Sequence, residues 1–469
     1  MSKAIIRIKK ITIKNFKNVV NGSLSFENNR KNYKASILGL YGQNGSGKTA
    51  LIDAIQLLKF ALCGVPIPLK YADYINVDAG GSVLEYEFVV KDTVKNASYN
   101  VSYSFCLKKE TETNSVNSDD DNVEISTEEK IVIFNEILSY SYECYDKKIR
   151  KTQVVNTCTP NVFLPESKYS ILTGNENKTN LFVAKKIALS TSRSFVFSRE
   201  LLSTIRKNCK EEYHIFLFNA LTKFGNFELF IIDTKSSGLI SFDALPLFFK
   251  YFDKNVNTVG KIALPLNDSG VIPQQAYNVV SNVIENMNIV LKQIVPNLTI
   301  GVKIIGMQTM KNGEMGCVIE LISKKNKKEI ALRYESEGIK KIISILQLLI
   351  VIYNNDSITV AIDELDSGVF EYLLGEILRI ISEKGKGQLI FTSHNLRPLE
   401  TIDKGFVAFT TTNPNNRYIR FSNVKTNNNL RDFYYRDIIL GEQDEPVYET
   451  TNNHEIALAF REAGDISGS

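Results

Sequence analysis

The chain has 469 residues, of which 43% are apolar and 23% charged, and its formal net charge is only +4. That length exceeds what one hydrophobic core serves and predicts two or three subdomains, while so small a charge excess gives no sign of a nucleic-acid binder beyond a local basic patch. Six cysteines, at positions 63, 106, 144, 158, 209 and 317, form no C-x-x-C pair and have no histidine at metal-ligand spacing, so they read as reduced thiols of a cytosolic protein. The N-terminus alternates apolar and basic residues without the run of a signal peptide. The longest apolar stretch, Ile342 to Tyr353, is broken by Ser344 and Gln347 and is too short to cross a bilayer, so a cytoplasmic protein with no membrane segment is expected.

Ile5 to Phe16 alternates apolar residues with lysine and arginine and reads as a strand pair or a long edge strand, with Asn21-Gly22 as the turn into a second strand from Ser23 to Phe26. Ala35 to Tyr41 is a short apolar strand. It leads into Gly42-Gln43-Asn44-Gly45-Ser46-Gly47-Lys48-Thr49-Ala50, and an apolar helix from Thr49 to Phe60 follows. The G-x-x-x-x-G-K-[ST] spacing between a strand and a helix is a phosphate-binding loop. Its glycines allow backbone N–H groups to converge on a polyphosphate at the positive end of the helix, with Lys48 on the β and γ phosphates and the Thr49 hydroxyl on Mg²⁺.

Val83 to Val90, Tyr99 to Leu107 and Ile131 to Tyr145 are β-rich, the last long enough for two strands or a hairpin, and the polar stretch Thr111 to Lys130 with Asp119-Asp120-Asp121 reads as a solvated hairpin loop. A helix from Ser198 to Cys209 begins on a serine cap. The aromatics between Phe216 and Asp253, Phe242 among them, read as core rather than a base-stacking surface, because few lysines or arginines interleave with them. Gln274 to Val295 carries one apolar stripe and stops at Pro296, which predicts a helix. Three short strands follow, at Leu298 to Ile305, Gly316 to Ile322 and Lys328 to Arg333.

Tyr334-Glu335-Ser336-Glu337-Gly338-Ile339-Lys340-Lys341 opens an apolar helix through Tyr353, and Ser357 to Glu364 is a buried strand ending in adjacent carboxylates. Beside a P-loop, Asp363 would support the Mg²⁺ shell and Glu364 would orient water for attack on the γ phosphate. A turn at Leu365-Asp366-Ser367-Gly368, a helix to Lys384 and a strand from Gly387 to Phe391 lead to Thr392-Ser393-His394-Asn395. His394, at a strand's C-terminal end where ligands gather in such sheets, reads as a γ-phosphate sensor. Strands at Gly405 to Thr410 and Arg417 to Val424, a helix or loop from Asn429 to Gly441, and a polar tail from Asp444 whose last residues are loose complete the chain.

In this order the pieces resemble the head of an ABC-type ATPase of the SMC and RecF kind. The local forms Gly-Gln-Asn-Gly-Ser-Gly-Lys-Thr, Glu-Ser-Glu-Gly-Ile-Lys-Lys, Ile-Asp-Glu-Leu-Asp-Ser and Thr-Ser-His-Asn are similar to those of OLD-like bacterial defence ATPases, among them the abortive-infection and PARIS-type proteins. The resemblance implies an α/β fold, a two-lobed mixed sheet flanked by helices, with β-rich and helical insertions and no long coiled coil. It divides the chain into residues 1–65 with the P-loop, a β-rich lobe at 66–185, a helical and mixed insertion at 186–327, the second part of the head at 328–426, and a tail at 427–469. It also implies ATP and Mg²⁺ sandwiched between two copies in a homodimer or larger homo-oligomer. Residues Asn44 to Ala50 would bind nucleotide; Thr49 and Asp363 the metal; Ser336, Glu337 and Gly338 the γ phosphate of the partner's nucleotide; Asp366 the partner head. Glu364 would position water and His394 would meet the leaving charge. Glu337 stands where the transporter signature has glycine, which points away from a transporter motor.

Only 75 residues follow His394, without an Asp-x-Asp pair, so a Toprim nuclease of the kind that OLD proteins append is expected on a separate effector rather than here. A phage protein or a nucleic acid is a further expected partner. The competing expectation is a RecF-like DNA-repair ATPase, with Lys324-Lys325, Lys327-Lys328 and Lys340-Lys341 supplying phosphate contacts.

Overall fold

The computed structural model describes residues 4–28, 35–117, 123–145, 147–164, 166–174, 178–233, 244–252, 257–265, 269–310, 313–326, 328–421, 429–441 and 443–467. Two six-stranded sheets face each other across the helix that follows the P-loop. The first is antiparallel, in the order Val19–Ser25, Ala4–Phe16, Ser82–Asp92, Ala97–Asn117, Val123–Glu143 and Lys148–Asn156. The second is largely parallel, in the order Tyr418–Ile419, Val407–Thr410, Ser36–Tyr41, Gln388–Thr392, Thr359–Ile362 and Leu229–Ile232. A smaller antiparallel sheet joins Gly270–Pro273, Met315–Lys325, Leu298–Thr309 and Lys328–Ala331, and Ala244–Phe252 pairs with Asn257–Pro265.

Strand alternation sorts the second sheet's side chains between two cores. Leu38, Leu40, Ala361, Ile390 and Ala408 point to the P-loop helix, and Ile37, Val360, Ile362, Leu389, Phe391, Val407 and Phe409 point to the opposite face, where the helix Glu337–Asn354 packs. Alanines on the first face let the P-loop helix lie close. That helix, Lys48–Cys63, is buried around most of its circumference, as a helix filled on both sides must be.

The sheets are also stitched by polar side chains. Where the Ala4–Phe16 strand bulges between Ile8 and Lys10, the Gln388 amide supplies the missing ladder: Ile8 N donates to its Oε1 at 3.0 Å and its Nε2 donates to Ile8 O at 2.8 Å. Arg7, whose pKa burial draws down to about 10, donates to the Lys386 carbonyl alongside.

Several expectations are corrected. Ala4–Phe16 is one interior strand, not a pair or an edge. Its hairpin turns at Lys17-Asn18, with Phe16 opposite Val19, and Asn21-Gly22 lies inside the returning strand. Gly22 is needed there for close approach, since a Cβ would meet the Tyr418 ring at 2.7 Å. The loop read into Thr111 to Lys130 is mostly strand, the pairing running out to Asn117 and Val123; Asp119-Asp120-Asp121 lies outside the described residues. The region to Tyr145 is a single strand, with Lys148–Asn156 after it. Phe218, Phe224 and Phe230 are buried as expected, Phe227 is exposed, and Phe242 lies outside the described residues. The tail's last residues, read as loose, are helical as far as Ser467, in the helix Asn453–Ser467. No described helix is long and apolar enough to cross a membrane.

Candidate nucleotide site

The P-loop leaves its strand at Gly42 (φ 152°), turns again at Gly45 (φ 75°) and enters its helix through Gly47 (φ 95°), a left-handed residue at the N-cap. A Cβ on Gly42 would lie 1.7 Å from Thr410 Oγ1, so the loop closes only with glycine there. The cap offers no side-chain hydrogen bond and the first turn holds no acid, so its N–H groups and the positive end of the helix dipole stay available to an anion. Asn44 and Gly45 are exposed, Thr49 is half-buried, and Ser46, Gly47, Lys48 and Ala50 are buried. The Lys48 ammonium donates to the carbonyls of Gly42 at 2.8 Å and Gln43 at 2.9 Å. Burial holds its pKa below the ordinary lysine range, against the opposing pull of Asp363, Glu364 and Asp366.

Distant segments grip the loop. The Asn18 amide donates to Gly45 O, Arg417 donates to Asn18 O at 2.5 Å and Thr411 O at 2.6 Å, and Tyr418 OH donates to Gly47 O at 2.9 Å. Lys17, in the same hairpin turn as Asn18, pairs with Asp53 on the P-loop helix. None of Asn18, Thr410, Arg417 or Tyr418 was expected from sequence. They lie far apart along the chain, and no local pattern marks them.

The carboxylates arrive from the neighbouring strands. Thr359–Ile362 and Ser36–Tyr41 flank Gln388–Thr392 in parallel, so their C-terminal ends line up. Thr392 is the hub: its hydroxyl donates to Asp363 Oδ1 at 2.6 Å and accepts from Glu364 N at 2.8 Å, and its carbonyl accepts from Leu365 N at 3.0 Å. Asp363 is 1% exposed and its Oδ2 has no hydrogen-bond partner. Glu364 adopts φ 49° and is exposed. Left-handed backbone is uncommon for such a residue and aims its side chain off the strand line.

Within its own chain Asp366 Oδ2 accepts from His394 N at 3.0 Å and Asn395 N at 2.8 Å, so it braces the histidine loop. His394 itself is exposed. Partial desolvation of the ring by its neighbours and then the charge of Lys48 lower its pKa, against Asp366, Glu364 and Asp363, which favours the neutral imidazole. Lys48, Asp363, Glu364 and His394 thus share one electrostatic environment.

Ser336 caps the helix Glu337–Asn354, accepting from Ile339 N at 3.4 Å, and is exposed. Glu337 pairs with Lys340 at 2.6 Å. Gly338 packs on the loop after the carboxylates, where a Cβ would lie 2.2 Å from Gly368 O. No hydrogen bond among the described residues joins Ser336, Glu337 or Gly338 to the P-loop of its own chain. Lys341, read from the sequence only as a phosphate contact for DNA, is buried, and burial lowers its pKa against the fields of Glu364, Asp366 and Asp363.

The donors suit a magnesium nucleotide. No described cluster of three acids, histidines or cysteines could hold a metal alone, and Mg²⁺ bound with phosphates needs only one or two protein ligands; Thr49 and the unpartnered oxygen of Asp363 would serve. Of the basic pairs proposed for DNA, Lys340 and Lys341 are buried, Lys324 is tied to Glu329 at 3.0 Å, and Lys327 lies outside the described residues.

Solved structures similar in arrangement include the SMC head domain from Thermotoga maritima (14% identity, 89% of this chain and 99% of that one, TM-score 0.35). Another is the Smc head domain with an extended coiled coil from Pyrococcus furiosus, bound to the C-terminal domain of ScpA (11%, 89% and 97%, TM-score 0.41). A third is the recombination mediator RecF with ATP (14%, 83% and 94%, TM-score 0.32). No curated protein matches the sequence. Residues 10–222, which carry the P-loop, match the family described as AAA domain.

Proposed function

We propose that the protein is an ATPase of the ABC-head type that hydrolyses ATP between two copies of itself. The observation that carries the reading is the meeting of the uncapped P-loop helix with Asp363 and Glu364 through Thr392. Lys48 and the N–H groups of Asn44 to Ala50 bind the phosphates, and Thr49 and Asp363 hold Mg²⁺, which supplies neutralisation of phosphate charge. Glu364, exposed beside His394, orients the attacking water; the neutral imidazole of His394 meets the γ phosphate without competing with Lys48 for charge. Ser336 and Glu337, exposed at a helix start, and Gly338 packed behind them complete the site of the facing copy.

The resemblance to bacterial defence ATPases, with Glu337 in the signature, supports reading this turnover as anti-phage defence through abortive infection, with a separate effector of the Toprim-nuclease class under its control. Burial of Lys340 and Lys341 counts against the DNA-clamping alternative.

Glu364→Gln should lower kcat at least 100-fold and leave ATP affinity within about threefold, because the amide keeps the shape and loses the base. Phosphate release and nucleotide titration measure the two quantities; wild-type turnover in the variant refutes the role of Glu364.

A further inference from the structure

A half-open cleft of about 500 Å³ lies away from the nucleotide site, between the strands Ala97–Asn117 and Val123–Glu143 and the helix Lys178–Ser190. Val132, Phe134, Phe182 and Phe195 give it apolar walls, and five cations line it against two carboxylates. Neither carboxylate offsets the outer rim. Glu110 is taken by Lys108 at 2.5 Å and Lys130 at 3.7 Å. Glu136, 2% exposed, accepts from Tyr103 OH and Phe195 N, each at 2.7 Å, and from the Ser194 hydroxyl. Lys185, 7% exposed, gives its ammonium to the carbonyls of Thr157, Thr159 and Asn161 at 3.0, 2.5 and 2.6 Å, which pins one wall and leaves a fixed positive charge behind it. At the mouth, Lys186 stands 4.8 Å over the Phe182 ring, and among the described residues neither Lys186 nor Arg193 belongs to an ion pair.

The complementary surface is on the same chain. In the helix Asn453–Ser467 every residue from 453 to 464 is exposed, Phe460 by 76% and Ile456 and Leu458 by 42% each. Ile456, Ala459, Phe460 and Ala463 form one stripe at helical spacing. The segment holds Glu455, Glu462 and Asp465 against Arg461, so it is acidic where the cleft is basic. A lone helix of about 15 residues is marginal in water, so a stripe this exposed needs a cover. Its root is fixed at the nucleotide site, with Glu449 N bonded to Gln43 Oε1 at 3.0 Å and Thr412 N to Pro446 O at 2.9 Å. From Asn453 to Glu462 no hydrogen bond or ion pair joins the helix to the cleft of its own chain.

We propose that the terminal helix of one copy docks in this cleft on a second copy, seating Phe460 and Ile456 between the apolar walls and its acidic side chains against Lys186 and Arg193. The contact joins unlike patches: exchanged reciprocally it closes a dimer, and passed from copy to copy it closes a ring. It is independent of the nucleotide sandwich and of the residues assigned there.

The test uses a synthetic peptide of residues 450–467 as probe and the full chain as target. Fluorescence anisotropy should show saturable binding that weakens with salt, and weakens at least tenfold for Lys186→Glu/Arg193→Glu and for a Phe460→Asp peptide. In sedimentation without nucleotide, both the Phe460→Asp chain and the cleft double variant should lose mass relative to wild type. Mixing the two should restore a heterodimer, since one brings an intact cleft and the other an intact helix. ATP turnover within about twofold of wild type shows that the variants fold. Absence of peptide binding overturns the proposal, and so does peptide binding with no change of mass, which would mean docking within one chain. Binding of AMP or inorganic phosphate that is lost in the cleft double variant, with no binding of the peptide, would make the cleft a small-anion site and overturn it equally.

Discussion

His214 takes no part in the nucleotide site, yet it contributes to how the protein responds to acid. It is 1% exposed, its Nδ1 lies 2.7 Å from Tyr140 OH, and its Nε2 has no partner. Burial, with Lys168 adding to it, draws its pKa down to about 4. The unfolded chain therefore takes up this proton first as pH falls below about 6.5, and the native state loses stability from there down to about pH 4, on the order of 3 kcal/mol in all. Denaturant melts of wild type and His214→Phe at pH 7 and pH 5 check this: the wild type should lose more on acidification, and parallel losses would remove the assignment. At Thr392 one hydroxyl serves both Asp363 and Glu364. Thr392→Val leaves a buried carboxylate oxygen and an N–H unpaired and lets Glu364 drift, so turnover should fall about 10- to 100-fold. Thr392→Ser should recover most of it in a phosphate-release assay. The P-loop and the Asp363-Glu364 pair were legible because each is contiguous in sequence. Thr392 was read only as part of the approach to His394, since its partners lie 28 and 29 positions earlier.

Elements were legible where periodicity was local. The helix following Gln274 and the serine-capped helix after Ser198 both form as the apolar spacing required. The first hairpin was misread because Asn-Gly favours a turn. Here Lys17 takes φ 52° instead, held by its ion pair with Asp53, and the glycine serves the Tyr418 ring. The arms from Thr111 to Lys130 were hidden by polarity, since their pairing is cross-strand, as between Lys109 and Glu129 at 2.8 Å. Gln388, buried and bonded to both backbone groups of Ile8, bears on how the sheets hold together. Gln388→Ala should cost about 2–4 kcal/mol through two unpaired buried groups. Urea unfolding should show it as a lower midpoint at unchanged slope, and a midpoint equal to wild type would show that water replaces the amide.

For the whole molecule, the proposed site draws on a second copy, since Ser336 is exposed and among the described residues has no hydrogen bond to the P-loop of its own chain. In a Phe460→Asp background, which lacks the terminal-helix contact, mass measured with ATP and Glu364→Gln should be twice that of the protomer, and adding Ser336→Arg should abolish the doubling. An equimolar mixture of Ser336→Arg and Lys48→Ala chains should recover up to about half of one site's activity, because one composite site then keeps both an intact loop and an intact signature; no recovery at any ratio would place both functions within a single chain. The grip of Asn18, Arg417 and Tyr418 on the loop bears on what nucleotide can do there. Anchored from the first hairpin and from the last strand of the second sheet, the cradle is shaped before any phosphate enters, so little conformational freedom is left to surrender on binding. Arrival of ATP should therefore be fast and structurally quiet, with the visible motion deferred to the later closing of one head upon another.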